Sequence, residues 1–362
     1  MAQEYALGSN GSGQLGTGHK EDVSVPKLVL VERTTSKPIN HIAAGGNHTL
    51  LLSSGTLYSS GDARSGARGI TLQSRRVEHV FQPVLLAESE QGLTDSSTAF
   101  CAATWEASII VKTDKDGKAN QVFTFGIGNK GELGQGEMLF RSAKPQLVKD
   151  FPPPGLEVVD LAACVSHVVT VLSNGEVYGW GSGRKGQLGE PEEFVYTPRK
   201  ITGVDFPVVR TVCGREFTFL VGDSKEGRHV ILGSDKWNIR TSAPGSIIGW
   251  KEIGAGWSSV LVLFENGRVL SWGRDDHGQC APSNLPLLSG IAAGSEHYLG
   301  LTQDGNVLAW GWGEHGNCGP STTNGDVKGK WNVVASSQYL LPGSKVYKIG
   351  AGCATSWIFV SG

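Results

Sequence analysis

One line of sequence recurs seven times, and the spacing of its copies closes on itself. Its clearest copy is Ile291-Ala-Ala-Gly-Ser-Glu-His297, followed by Leu299 to Thr302, the turn Asp304-Gly305 and the run Val307 to Gly311. Related lines begin at Ile42, Cys101, Leu161, Thr211, Ile253 and Ile349, and most lead into a glycine-rich loop such as Gly181 to Gly189. The glycine that ends the second strand of each unit serves as a marker. Gly8, Gly61, Gly126, Gly181, Gly233, Gly273 and Gly311 stand 53, 65, 55, 52, 40 and 38 residues apart. A seventh step of 59 residues runs from Gly311 through both chain ends to Gly8. The segment Ala351 to Gly362 reads as the first half of a unit, and Glu4 to Gly16 as its missing second half. The units are short apolar or alternating strands joined by hairpin signals, Asn174-Gly175, Asn266-Gly267 and Asp304-Gly305. The expectation is an all-β, seven-bladed β-propeller of four-stranded antiparallel blades, in which the two termini share one blade and leave no long unpaired edge. An open solenoid would need capping repeats instead of a shared terminal unit.

A single domain over 1–362 follows, with the shared blade made from about 1–18 and 349–362. The long polar or proline-rich stretches at about 71–100, 137–160 and 320–348 read as surface insertions. Glycine, 51 of 362 residues, is about twice its usual share and has no collagen period, so it signals tight turns. A formal charge of -2 gives no long-range pull towards nucleic acid or anionic membrane. No apolar stretch approaches the roughly 18 residues of a membrane span, and the start has no leader pattern, so a cytoplasmic or nuclear location is expected. The six cysteines form neither a CxxC pair nor a cluster, which points to reduced, partly buried thiols.

Three runs match GxGxxG, at Gly126–Gly131, Gly181–Gly186 and Gly311–Gly316. Each leads into a blade turn instead of a helix, so the phosphate-binding reading lacks the helix N-terminus it needs. His277-Gly-Gln-Cys280 and His315-Gly-Asn-Cys318 suggest zinc, yet they occupy equivalent slots of successive blades, about 10 Å apart. His48, His167 and His297 recur in one slot, which a residue needed once for catalysis would not do; they read as buried hydrogen-bonding anchors. No catalytic, cofactor-binding or metal-binding residue is expected, and the chain reads as a non-enzyme. Trp180, Trp272 and Trp310 share a strand slot and Trp357 fills another core slot. Trp105 and Trp257 instead sit in the loop after the Gly45 and Gly294 slots, while Trp237 and Trp312 lie in glycine-rich loops. Equivalent loop positions supply Glu106, Arg215, Glu216, Arg274, Asp275 and Glu296, a mixed-sign rim suited to a protein interface. Trp250 and Trp331 fall in inserted segments and could pin those loops or join the contact.

The paired motifs Ala43-Ala-Gly-Gly-Asn-His48 and Gly8-Ser-Asn-Gly-Ser-Gly-Gln-Leu-Gly16 resemble the repeat of the regulator-of-chromosome-condensation family, over essentially the whole chain. The resemblance implies the propeller fold; the family's functions range over nucleotide exchange on the GTPase Ran, ultraviolet reception, ligase-linked propellers and small free-standing adaptors. The propeller begins by Tyr5 with no basic tail, unlike the chromatin-bound exchange factor. Trp105-Glu-Ala and Trp257-Ser-Ser lack the arginines of the photoreceptor's motif. The chain is most similar to the compact fungal adaptors of the family. That likeness implies a heterodimer with the small zinc- or iron-binding third diphthamide-biosynthesis protein, supporting diphthamide synthesis and, indirectly, Elongator-dependent modification of tRNA wobble uridine. It implies no direct nucleic-acid or membrane partner. The alternative expectation is an exchange factor for a small GTPase.

Overall fold

The computed structural model describes all residues except 1, 34–36, 72–77 and 86–96, together with the backbone but not the side chains of residues 70–71. Seven sheets stand around an axis, and every strand pair within them is antiparallel. Blade 1 has the order Val23–Leu28, Gln3–Gly8, Thr355–Ser361, Lys345–Gly352. The two ends of the chain meet there in register, from Gln3 opposite Val360 to Gly8 opposite Thr355. Blade 2 runs from Ile39–Ala44 through His48–Ser53 and Thr56–Gly61 to Gln82–Leu85, with Ile70–Thr71 added outside. Blade 3 (Thr98–Ala103 to Arg141–Leu147), blade 4 (Val158–Cys164 to Phe194–Lys200) and blade 7 (Leu288–Ala293 to Asp326–Ala335) have four strands each.

Blades 5 and 6 depart from the expected four. Blade 5 stops after Arg210–Cys213, Phe217–Val221 and His229–Gly233, and blade 6 after Trp250–Ala255, Ser259–Phe264 and Val269–Gly273. No fourth strand forms in 234–249 or 274–287; in blade 5 buried Ile239 and Ile247 pack the irregular chain against the blade instead. All three stretches read as insertions carry strands of the blades. The stretch 137–160 contains the outer strand of blade 3, and 320–348 contains that of blade 7. The stretch 71–100 contains Gln82–Leu85, which pairs with Thr56–Gly61 in blade 2, while 72–77 and 86–96 lie outside the described residues.

Each blade's second strand is packed on both faces by its neighbours, which is why it reads as an unbroken apolar run. Every residue of His167–Leu172 is buried, and Val168, Val169 and Val171 have no exposed surface. The marker glycines have a shared steric cause. All seven have φ between 99° and 115°, a region costly for a residue with a Cβ. A Cβ there would also strike a backbone carbonyl in the neighbouring turn, for example that of Glu296 at Gly311. The next residue uses the same carbonyl: the Trp312 N–H donates to the Glu296 oxygen at 2.9 Å, as Ser182 does to Ser166 at 2.7 Å.

The recurrent histidines stitch blade to blade. His48 Nε2 meets Ser108 Oγ at 2.9 Å, His167 Nε2 meets Thr218 Oγ1 at 3.1 Å, and His297 Nε2 meets Ser356 Oγ at 2.8 Å. Each hydroxyl donates onward to a loop carbonyl of the histidine's own blade: Ala67, Gln187 and Asn317 at 2.7, 2.7 and 2.8 Å. Because each hydroxyl's proton is committed to that carbonyl, Nε2 carries the proton of the other bond. At the seam between blades 6 and 7 the polarity is exchanged: Ser259 takes the histidine slot and Tyr298 OH reaches it at 2.6 Å. The core tryptophans act similarly. The indoles of Trp180, Trp272 and Trp310 donate to the preceding blade's loop at Glu132, Ile239 and Gln279.

Candidate partner-binding face

Strand direction alternates within a blade, so the loops joining strands one to two and three to four emerge on the same face. All ten residues singled out from the sequence belong to those loops or border them. The position after the Gly45 slot puts Gly46, Trp105, Val165, Arg215, Trp257, Ser295 and Cys353 in a ring about the axis. Backbone bonds link this ring across blades. Trp105 N–H donates to the Val165 carbonyl at 2.8 Å, Arg215 to Trp257 at 2.9 Å and Trp257 to Ser295 at 2.7 Å.

Trp105 and Trp257 come from blades 3 and 6, nearly opposite each other, and both line the axial cavity. Their ring centroids are 6.0 Å apart at 49°, so the indoles meet over the axis and cover that end of the channel. The Arg215 guanidinium lies 5.4 Å from the Trp257 ring centre. Arg215 is exposed with no carboxylate partner among the described residues, and Trp105 keeps 39% of its surface in solvent. Aromatic rings under a free guanidinium combine apolar area with a charge that needs little ordering on binding.

A second group lies further out. Trp237 is 42% exposed and has φ of 65°, a conformation uncommon for a bulky residue. Arg274 sits 5.3 Å from its ring centre and Lys236 5.8 Å. Arg274 also bonds Glu296 at 2.8 Å and Asp276 at 2.6 Å. Partial burial opposes ionisation of Asp276, but bonds from Arg274 and Gln279 and the charge of Arg274 hold its carboxyl down at about 2. Glu296, expected on a solvated rim, is only 3% exposed; Gln279 Nε2 donates to its other oxygen at 2.8 Å. Its role is to position Arg274. Trp312 stacks on His277, centroids 4.9 Å apart and 12° from parallel, and His277 Nδ1 is 2.9 Å from Asp326. Asp275 accepts the Cys280 N–H at 3.0 Å and caps its turn. Glu106 is exposed and Glu216 half-buried, and neither side chain has a described partner.

The structure therefore joins Trp105, Trp257 and Arg215 in one cluster and Trp237, Arg274 and Glu296 in another, with Trp312 paired to His277. Sequence reasoning missed Asp276, bonded within its own loop by Arg274 and Gln279, and His277 and Gln279, which also reach Asp326 and Glu296 of the next blade. Trp250 is buried and donates to the Gly222 carbonyl at 3.1 Å, so it pins the blade 5 to 6 connection; Trp331 packs on the core of blade 7. The GxGxxG runs are successive turns, such as Gly186 N–H to Gly183 and Gly189 N–H to Gly186. Among the described residues no group of three or more His, Cys, Asp or Glu is placed to hold a metal ion, and no helix is long and apolar enough to cross a membrane.

Residues 3–358 match the model of the RCC1-like domain. An RCC1 repeat-containing protein of Schizosaccharomyces pombe is 32% identical over 98% of both chains. The secretion-regulating guanine nucleotide exchange factor of Bos taurus is 27% identical over 76% of this chain and 60% of its own length. Among solved structures, Prp20p of Saccharomyces cerevisiae, described with its binding to Gsp1p and histones, superposes with a TM-score of 0.80 at 20% identity, covering 99% of this chain and 91% of that one. Human WBSCR16 gives 0.78 at 18% identity over 100% and 99%. With the domain match spanning nearly every blade and the ring closed by its own ends, this chain belongs to the RCC1-like family of seven-bladed propellers.

Proposed function

We propose that the protein is a non-enzymatic adaptor that binds a partner protein through the face centred on Trp105, Trp257 and Arg215. The observation that carries this reading is the exposed indole pair with its unpaired guanidinium, on a ring fixed by backbone bonds from blade to blade. Rigid aromatic anchors beside arginine are the residue types that dominate interface energetics, and a preformed ring lowers the ordering cost of association. The sequence resembles the fungal alpha-tubulin suppressor, also called the thirteenth killer-toxin-insensitivity protein. On that resemblance the partner is the small metal-binding third diphthamide-biosynthesis protein. The complex would support diphthamide formation and Elongator-dependent wobble-uridine modification, in the cytoplasm or nucleus.

The test is calorimetric titration with the metal-loaded partner from the same organism. One-to-one binding below about 1 μM is expected, weakened roughly 30-fold or more by Trp105→Ala or Trp257→Ala, the scale of a hot-spot truncation. Absence of binding, or variants that bind as the parent does, overturns the reading. A second reading, nucleotide exchange on a small GTPase, is favoured by the exchange-factor relative alone; it requires faster nucleotide release from a GTPase when the protein is added.

A further inference from the structure

The axial cavity, about 810 Å³, is covered at one end by the two tryptophans and has a different character at the other. The residue before each repeat line, five positions upstream of the tryptophan ring and about 16 Å away along an extended strand, forms a second ring about the axis. Its ionisable members are His41, Asp160, Arg210, Glu252 and Lys348. The two carboxylates are already engaged. Asp160 accepts the Thr211 N–H at 2.7 Å and pairs with Arg210 at 3.2 Å, and Glu252 accepts the Ile291 N–H at 2.9 Å. The side chain of Lys348, half-buried in the wall, makes no hydrogen bond or ion pair among the described residues. Burial lowers its pKa and the Arg210 charge adds to that, while the Glu252 carboxylate across the mouth offsets part of the cost without bonding it. Enclosure by the walls, with the charges of Lys348 and Arg210, pushes lumen-facing His41 down to about 4.

We propose that this mouth binds a small solute bearing oxyanions, a phosphate or a polycarboxylate, with Lys348 and Arg210 supplying charge. The chamber behind it is of the size small-molecule sites have, and its wall of short side chains, such as Ala102, Ala163 and Ala292, leaves room for the solute's body. The site lies at the opposite end of the axis from the partner-binding face and does not depend on that reading.

The experiment is calorimetric titration of the isolated protein with inorganic phosphate and, separately, with citrate, at low chloride. One site is expected for at least one probe, and which probe binds tells phosphate from polycarboxylate. Lys348→Met should weaken it about tenfold or more, the loss of one charge-assisted contact, and Lys348→Arg should stay within about threefold. Melting without anion shows whether the variants are folded. Equal binding by folded Lys348→Met, or no binding of either probe to the parent protein at about 10 mM, above the millimolar range of weak affinity, overturns the proposal.

Discussion

Acid should undo this propeller through its seams, and one substitution should reverse the ranking of variant and parent. His48, His167 and His297 are buried between blades, and that burial pushes each imidazole down to about 4 from an ordinary 6.5. A base whose folded pKa lies below its unfolded value takes up a proton on unfolding. Its contribution to stability is therefore intact above about pH 6.5 and drains away as pH falls towards 4. At roughly 1.4 kcal/mol per pKa unit, one such histidine removes about 2.5 kcal/mol between pH 7.5 and 4.5. Three remove about 7 to 8 kcal/mol, comparable with the whole stability of an ordinary domain. His297→Leu deletes the bond to Ser356, whose hydroxyl still donates to Asn317. It should cost about 1 to 2 kcal/mol at pH 7.5. At pH 4.5 it no longer carries the protonation penalty, so the variant should be the more stable by about 1 kcal/mol. Urea unfolding followed by tryptophan fluorescence at pH 7.5, 6.0, 5.0 and 4.5 measures both curves. A constant offset between them, with no crossing, would refute the argument that His297 is held neutral by burial.

Three further outcomes follow from the geometry. Gly311→Ala should destabilise by at least about 2 kcal/mol, since it combines a left-handed backbone with a clash against the Glu296 carbonyl; Gly11→Ala, with open space around it, should stay within about 0.5 kcal/mol on the same urea curves. The thiols of Cys101 and Cys164, raised by burial to about 12, should react with a disulfide reagent at pH 8 roughly a thousandfold more slowly in the native protein than in urea. Trp250→Phe keeps the ring but loses the bond to the Gly222 carbonyl. Proteolysis should then cut within 236–249 faster, while binding at the Trp105 face is unchanged.

The ring, its shared blade and the anchoring histidines were legible because they are periodic: a slot filled by His48, His167 and His297 declares its role by recurring. Outer strands were not. They face solvent on one side and carry little alternation, so Arg141–Leu147 and Asp326–Ala335 passed as insertions. A signal was nevertheless present. Pro26, Pro83, Pro145 and Pro198 each lie in the outermost or near-outermost strand of blades 1 to 4, where an edge tolerates a residue without an N–H. Glu296 was misplaced for another reason. Its slot holds exposed Glu106 in blade 3, and only the neighbouring blade's Arg274 and Gln279, 22 and 17 residues away, make burial possible. The meeting of Trp105 and Trp257 was equally hidden, because two loops 152 residues apart face each other only once seven blades have set the diameter.

The pairing of Gln3–Gly8 with Thr355–Ser361 has a consequence for synthesis. At ribosomal speeds of about 5 to 20 residues per second, the first strand waits on the order of 20 to 70 s for its partner. During that interval Ala6 and Leu7, fully buried in the finished ring, face the solvent, and an unpaired apolar strand is an aggregation hazard. Blades 2 to 7 are each made of locally contiguous chain and can fold as they emerge, whereas blade 1 cannot. In the finished circle Gln3–Gly8 has its partner on Thr355–Ser361, whereas the growing chain bears that strand open for most of its synthesis, where a chaperone would be needed most.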